Sequence, residues 1–143
     1  MSSKKLIFFL VVVLIFGKAK SQNITCELAN KSFSTKYFKS EFLICKMDST
    51  VLVYDKKNIL NDCTEFTECL KKIKINKDTI NNLTPEKYSI YKPKNLIILY
   101  DYTENKNIYT ISFWRPYTGA NLVLTFKKGK NKIKIIKHTT GTF

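Results

Sequence analysis

The sequence predicts an α+β fold, in which N-terminal helices cover one antiparallel sheet of four to five strands. From Asn95 to Lys137, short apolar segments rich in β-branched residues alternate with polar turns, a pattern typical of an antiparallel meander. Before that stretch, apolar residues recur at helical spacing. The four cysteines all precede the meander, and their even number predicts two disulfides.

The N-terminus has the pattern of a secretory signal peptide. Lys4 and Lys5 precede an unbroken apolar run of 11 residues, Leu6 to Phe16, and small residues follow it. We therefore expect a signal peptide over residues 1–21 and one secreted, extracellular domain over residues 22–143. A membrane anchor is the alternative, but the run is about half of the roughly 20 residues that a spanning helix needs. No second run of that length follows, so we expect no membrane span in the mature protein.

The chain is strongly basic. It carries 25 basic and 11 acidic residues, and four of the lysines lie in the predicted signal peptide. The mature domain would therefore hold 21 basic against 11 acidic residues. A charge of that size favours contact with anionic partners.

The first helix is predicted from Cys26 to Lys46, with a break near Ser32–Ser34, because its apolar residues recur at steps of four and five. A strand is predicted from Thr50 to Tyr54. Asp62 begins a second predicted helix, with Glu65 completing a capping box and apolar residues at steps of three and four as far as Ile73. Residues 75–85 are a predicted connection, and Glu86–Tyr91 a further strand.

Disulfides are favoured over a zinc site for Cys26, Cys45, Cys63 and Cys69, because their spacing matches no zinc motif and the sole histidine is distant. In a helix, Cys63 and Cys69 would lie about 9 Å apart along the axis, beyond the roughly 7 Å that a disulfide spans. By the same argument, Cys26 and Cys45 are too far apart to form a disulfide if the first helix is continuous. Two pairings stay open: Cys26–Cys69 with Cys45–Cys63, which the short loop between the helices favours, or Cys26–Cys63 with Cys45–Cys69.

Alternation within the strands assigns their faces. Tyr109, Ile111 and Phe113 share one face of their strand, and Leu122, Leu124 and Phe126 share one face of the next. The first strand, Leu96–Tyr102, is apolar on both sides. One sheet face should therefore be strongly apolar and covered by the helices, while the other is mixed and carries aromatic residues such as Tyr100 or Trp114.

The C-terminal hairpin is predicted to be a basic surface, since no acidic residue follows Glu104. It could bind polyanions such as sulfated glycans or anionic surfaces. Alternatively, its lysines protect an edge strand from pairing with other chains. The lysines concerned are Lys127, Lys128, Lys130, Lys132 and Lys134.

No catalytic constellation is visible in the sequence, so we expect a protein that is not an enzyme and needs no cofactor or metal. There is one histidine, His138, and no glycine-rich phosphate loop. The only pair that could transfer a proton is Asp101 with His138, and a surface ion pair is the simpler role for Asp101.

N-glycosylation is predicted at Asn23 and Asn30, each of which begins an Asn-x-Thr/Ser sequon. A third sequon, at Asn82, is followed by Pro85, which hinders modification.

The order of the elements resembles the nuclear transport factor 2-like superfamily, in particular its secreted nematode-type members. The resemblance spans residues 26–137 and is carried by Phe42-x-x-Cys45, by Tyr54-Asp55-Lys56-Lys57 and by the strands NLIILYDYT and LVLTFKK. It implies a curved, cone-like sheet wrapped around helices, with a hydrophobic pocket. The acid–base residues of the superfamily's enzymes have no counterparts in this chain.

Two functions follow as hypotheses. The first is a secreted, non-catalytic binding protein that holds an apolar small molecule in a sheet-lined pocket. Its lining would include Tyr100, Tyr109, Phe113 and Trp114. The alternative is an extracellular interaction protein that binds polyanions through the basic C-terminal hairpin.

Overall fold

Seven strands form a single curled, mixed sheet in the computed structural model, which describes residues 23–63, 65–76 and 94–142. The α+β class is confirmed, but the sheet has seven strands, not the four to five expected. Helices α1 and α2 span Asn23–Ser34 and Lys36–Glu41, and a 3₁₀ turn spans Ile44–Lys46. The strands are β1 Val51–Asp55, β2 Phe66–Glu68, β3 Lys71–Asn76, β4 Leu96–Asn105, β5 Ile108–Arg115, β6 Ala120–Lys128 and β7 Ile133–Thr142. Their order across the sheet is β2-β3-β1-β4-β5-β6-β7.

The predicted first helix is present and is broken between α1 and α2, close to the expected position. Thr35 is extended there, and its side-chain oxygen accepts a hydrogen bond from the Phe38 N–H at 3.1 Å. A threonine cap of this kind satisfies a donor that the first turn of a helix leaves unpaired. After α2, Leu43 adopts a left-handed backbone conformation, with φ of 55°, and the 3₁₀ turn follows it and completes the helical region.

Strand β1 confirms the strand predicted at Thr50–Tyr54, displaced by one residue. It pairs in parallel with both of its neighbours, Val53 lying opposite Ile75 of β3 and Ile97 of β4. The sheet is therefore mixed, and only β2–β3 and the four strands from β4 to β7 are antiparallel.

The helix predicted after Asp62 is wrong, because this segment forms the β2–β3 hairpin. Glu68 pairs with Lys71, and the two residues between them, Cys69 and Leu70, both have positive φ. That geometry matches a type I′ turn, whose twist suits a two-residue hairpin. Steps of three and four in Phe66, Cys69 and Ile73 are compatible with a helix, but the Lys-Ile-Lys-Ile alternation of β3 is the pattern that the fold uses.

Both cysteine pairs are bonded, as predicted, but in the less favoured pairing. Cys26 is joined to Cys63, with 5.4 Å between their Cα atoms, and Cys45 to Cys69, with 5.1 Å. The preferred pairing assumed two helices side by side. Because Cys69 lies at the tip of a hairpin, it reaches the 3₁₀ turn, while Cys63 reaches the first turns of α1. The two disulfides thus attach the helical region to the β2–β3 edge of the sheet.

The meander from β4 to β7 is confirmed, and its last strand is longer than predicted. β7 continues past Lys137 to Thr142 and pairs along β6 to Ala120. The strand predicted at Glu86–Tyr91 lies outside the described residues.

The helices pack on one face of the sheet, which we call the inner face. Five phenylalanine rings meet there in edge or tilted contacts, with centroids 4.9 to 5.9 Å apart. Tyr109, Ile111 and Phe113 of β5 lie on this face, as their alternation predicted, and so do Leu122, Leu124 and Phe126 of β6. The five rings are those of Phe33, Phe38, Phe42, Phe66 and Phe113.

The opposite, outer face carries a second and smaller apolar group. Leu96 and Ile98 are buried on it, and Tyr100 and Trp114 pack against them. The register of β4 shifts between Leu99 and Asp101, which is the mark of a bulge at Tyr100. The mixed character predicted for this face is therefore confirmed.

Asp55 organises the turn that follows β1. Its carboxylate accepts hydrogen bonds from the N–H groups of Leu60 at 2.7 Å and Lys57 at 3.2 Å. Burial raises the pKa of Asp55 above its usual 3.8, although these hydrogen bonds act in the opposite direction. Among the described residues, no basic side chain lies within 4.0 Å of it to offset the burial.

Replacing Phe113 by Ala should lower the free energy of unfolding by about 3–5 kcal/mol, because it opens a cavity between the helices and the sheet. Denaturant unfolding with the disulfides intact measures this. Leu70→Ala is the control, since Leu70 is 97% exposed and its truncation should change stability by less than about 0.5 kcal/mol. Equal effects of the two substitutions would contradict the packing described for Phe113.

The stability of the protein should fall relative to Asp55→Asn as pH rises from about 4 to 7. A raised pKa means that the folded state holds the Asp55 proton more tightly than the unfolded state does, so ionisation at higher pH favours unfolding. The asparagine loses one acceptor, which shifts its stability by an amount independent of pH. The measurement is the difference in unfolding free energy between the two proteins across this range; a flat or rising difference argues against burial as the dominant effect.

Candidate functional site

Six lysines lie at one end of the sheet, in two adjacent turns and on the strand ends next to them. We call this end the basic end. The β4–β5 and β6–β7 turns lie side by side there, since Ile108 pairs with Lys127 and the Lys128 N–H donates to the Asn107 carbonyl at 2.8 Å. All six lysines are exposed. They are the five predicted from the sequence, Lys127, Lys128, Lys130, Lys132 and Lys134, together with Lys106 of the β4–β5 turn.

The strand register places two of these lysines directly opposite each other. Lys127 of β6 pairs with Lys134 of β7, and the Gly129 N–H donates to the Lys132 carbonyl at 2.9 Å to close the turn between the strands. Like charges facing each other across a pair of strands destabilise a sheet. The basic end therefore carries an electrostatic cost in the free protein, which a bound anion would relieve.

Among the described residues, none of these six lysines lies within 4.0 Å of a carboxylate, although Glu104 lies near the end of β4, two residues before Lys106. The ion pairs of the described residues lie elsewhere in the fold. They are Lys39–Glu68, Lys57–Asp101 and Lys74–Glu65, with N–O distances of 3.5, 3.4 and 3.9 Å. Because no acidic residue follows Glu104 in the sequence, β5, β6 and β7 carry positive charge alone. The sheet is thus divided into a half with mixed charges and a half that is only basic.

The four residues predicted to line an apolar pocket do not share one surface. Tyr109 and Phe113 lie on the inner face, buried under the helices within the core. Tyr100 and Trp114 lie on the outer face, where the Tyr100 hydroxyl donates to Asn121 Oδ1 at 3.0 Å. The alternation along the strands already predicts this division between the two faces of the sheet.

Asp101 and His138 are not brought together. Asp101 lies on β4 and forms its ion pair with Lys57, while His138 lies on β7, three strands away. Neighbouring strands are about 4.8 Å apart, so about 14 Å of sheet separates them. His138 instead stacks on the ring of Tyr37 from α2, with 3.8 Å between the ring centroids.

The two predicted glycosylation sites fall in α1. Asn23 is the first residue of the helix, and Asn30 is exposed on it. The hydroxyl of Ser32, the third residue of the second sequon, is buried and donates to the Leu28 carbonyl at 2.8 Å. The side chain of Asn30 is accessible to carry a glycan in the folded protein, and its modification stays a prediction.

Comparison of the chain with protein-family models, with curated proteins and with solved structures gives no match. The resemblance to the nuclear transport factor 2-like superfamily therefore stays a prediction. In the part of the chain that the structure describes, the helices are too short or too polar to cross a membrane.

Proposed function

We propose that this chain is a secreted, non-catalytic protein that binds polyanions, of the kind of sulfated glycans, through its basic end. The observation that carries the proposal is a set of six exposed lysines with no carboxylate within 4.0 Å among the described residues. Exposed cations on one surface raise the local concentration of an anionic partner and accelerate its association.

Edge protection accounts for only part of this lysine set. Lys134 lies on β7 and Lys132 directly before it, so both guard the free edge of the sheet. Lys127 lies on β6, which is paired on both sides, and Lys106 lies in the β4–β5 turn, two strands from that edge. Lysines away from the edge add nothing to its protection, and their shared location supports a binding role.

The spacing of the lysines suits a chain-like anion better than a single ion. Residues two apart on a strand lie about 6.6 Å from each other, and directly opposed residues about 5 Å. Lys132 and Lys134 show the first spacing, and Lys127 and Lys134 show the second. Successive charges along a linear polyanion would each find a lysine within reach of a flexible side chain.

Two disulfides support secretion, because such bonds persist mainly in oxidising compartments. The predicted signal peptide agrees with this location. The alternative hypothesis of an apolar ligand has weaker support, since Tyr109 and Phe113 are occupied with packing the core.

The variant Lys132→Glu, Lys134→Glu should elute from immobilised heparin at markedly lower NaCl than the unmodified protein. Loss of two cationic contacts should also reduce the slope of log K against log salt by about 2. The measurement is the elution salt concentration, followed by the affinity at several ionic strengths.

The matched control is Lys56→Glu, Lys72→Glu, which changes the net charge equally on the other half of the sheet. Both lysines are exposed, and neither belongs to the ion pairs described above. The control should be retained nearly as strongly as the unmodified protein. If both variants elute together, net charge explains the retention and the basic end is not a site.

Expression of the full chain in a eukaryotic secretory host should deliver a protein to the medium whose N-terminus is Gln22, because the predicted cleavage follows Ser21. N-terminal sequencing or intact mass measures this. Retention of the uncleaved chain in the cells would contradict the proposed secretion without bearing on heparin binding.

A further inference from the structure

We propose that a groove at the end of the sheet opposite the basic end binds a small organic oxyanion. The ligand class is a molecule with one carboxylate, sulfate or phosphate group and an apolar remainder. Arg115 is the anchor, and Lys46 and Lys94 flank it. The groove has a volume of about 320 Å³, and the rest of its lining includes Leu43, Met47, Asp48 and Tyr117.

Arg115 is held firmly at the floor of this groove. The residue is only 5% exposed. Its Nε and Nη2 donate to the Lys94 carbonyl at 3.1 and 2.6 Å, and its Nη1 donates to the Phe42 carbonyl at 2.7 Å. These bonds fix the guanidinium between the chain that enters β4 and the end of the helical region. A pre-positioned guanidinium loses little freedom when it binds an oxyanion.

The charge of Arg115 is not neutralised by the protein among the described residues. Its partners are carbonyl oxygens, which satisfy hydrogen bonds but carry no formal charge, and no carboxylate lies within 4.0 Å. A buried cation without an anionic partner is costly. Burial accordingly lowers the pKa of Arg115 below its usual range, with Tyr117 acting in the opposite direction. A purely structural role for Arg115, in which it links the Lys94 and Phe42 carbonyls, explains the three hydrogen bonds. That role leaves the positive charge of the guanidinium without a partner of opposite charge.

A second cation shares the same aromatic ring. The Lys94 Nζ lies 5.7 Å from the centre of the Tyr117 ring, and the Arg115 Cζ lies 5.5 Å from it. The ring attracts each cation, yet the two positive charges repel each other. With Lys46 also in the lining and Asp48 as its one acidic member, the groove holds three cations to one anion. An oxyanion between the cations would convert this repulsion into attraction.

The remainder of the lining accounts for the apolar part of the ligand. Leu43 is 43% exposed. Its backbone is in the left-handed conformation, which residues other than glycine rarely adopt. Met47 and the ring of Tyr117 provide further apolar surface beside it. A volume near 300 Å³ is at the small end of ligand pockets, so the site suits a small molecule and not a polymer.

The groove is independent of the basic end. Arg115 ends β5, whereas Ile108 begins β5 next to Lys127. Seven steps along a strand cover about 23 Å. A polyanion on the basic end therefore leaves the groove free, and either proposal can fail while the other stands.

The test uses benzoate, phenyl phosphate and the neutral benzyl alcohol as probes of the full, disulfide-bonded protein at constant ionic strength. Titrations followed by ¹H–¹⁵N correlation spectra should show saturable shifts for residues 43–49, 94–95 and 115–118 with at least one of the two anions. Benzyl alcohol should give none. The better of the two anions identifies a carboxylate or a phosphate-type ligand.

Lys46→Gln, Lys94→Gln should weaken binding of the anion roughly tenfold, because each lysine contributes charge-assisted contacts. Both lysine side chains are exposed, so the fold is retained. Arg115→Gln is avoided because it would break the hydrogen bonds of Arg115 to the Lys94 and Phe42 carbonyls. The matched control, Lys127→Gln, Lys134→Gln at the basic end, should bind as the unmodified protein does. Unchanged affinity in the first variant, shifts centred on the basic end, or no binding of either anion at about 10 mM would overturn the proposal.

Discussion

The cluster of phenylalanine rings between the helices and β5 is the contact on which the rest of the fold depends. α1 and α2 have 12 and 6 residues, lengths at which helices are marginal in water on their own. Phe33 and Phe38 stabilise them by packing on Phe113 at 5.9 and 5.2 Å between ring centroids. The two disulfides and the Lys39–Glu68 ion pair then fasten α1, α2 and the 3₁₀ turn to the β2–β3 hairpin and to Cys63 just before it. Core packing and covalent bonds thus act together on one helical region.

This arrangement decides which surfaces are available for binding. Because the helices cover the inner face, aromatic residues such as Phe113 are buried there and contribute to stability. The cations at the two ends of the sheet are exposed and are therefore accessible to ligands. The basic end has many mobile cations suited to an extended anion. The groove has one fixed guanidinium suited to a single oxyanion group. The two proposals therefore assign different kinds of anion to two separate surfaces of one sheet.

Sequence reasoning succeeded where local patterns determine structure. Alternation assigned the inner residues of β5 and β6, and the break predicted near Ser32–Ser34 lies one residue later, at Thr35. It failed where tertiary contacts decide: Cys69 and Leu70 are not residues typical of positive φ, yet the Cys45–Cys69 disulfide and the parallel pairing of β3 with β1 stabilise a hairpin there. The lysines of the C-terminal hairpin were predicted as exposed, whereas Lys106 and the groove around Arg115 depend on contacts between distant segments, which periodicity does not contain.

The parallel position of β1 also has a consequence for the order in which the chain folds. Hairpins from β4 to β7 join neighbouring segments and form through local contacts, which are fast to find. β1 instead joins strands from two separate parts of the chain, and the Asn95 side chain that donates to the Thr50 carbonyl at 2.8 Å comes 45 positions later. Parallel pairing of this kind waits for a long loop to close. During synthesis the N-terminal half therefore has no completed sheet to pack against until β4 emerges.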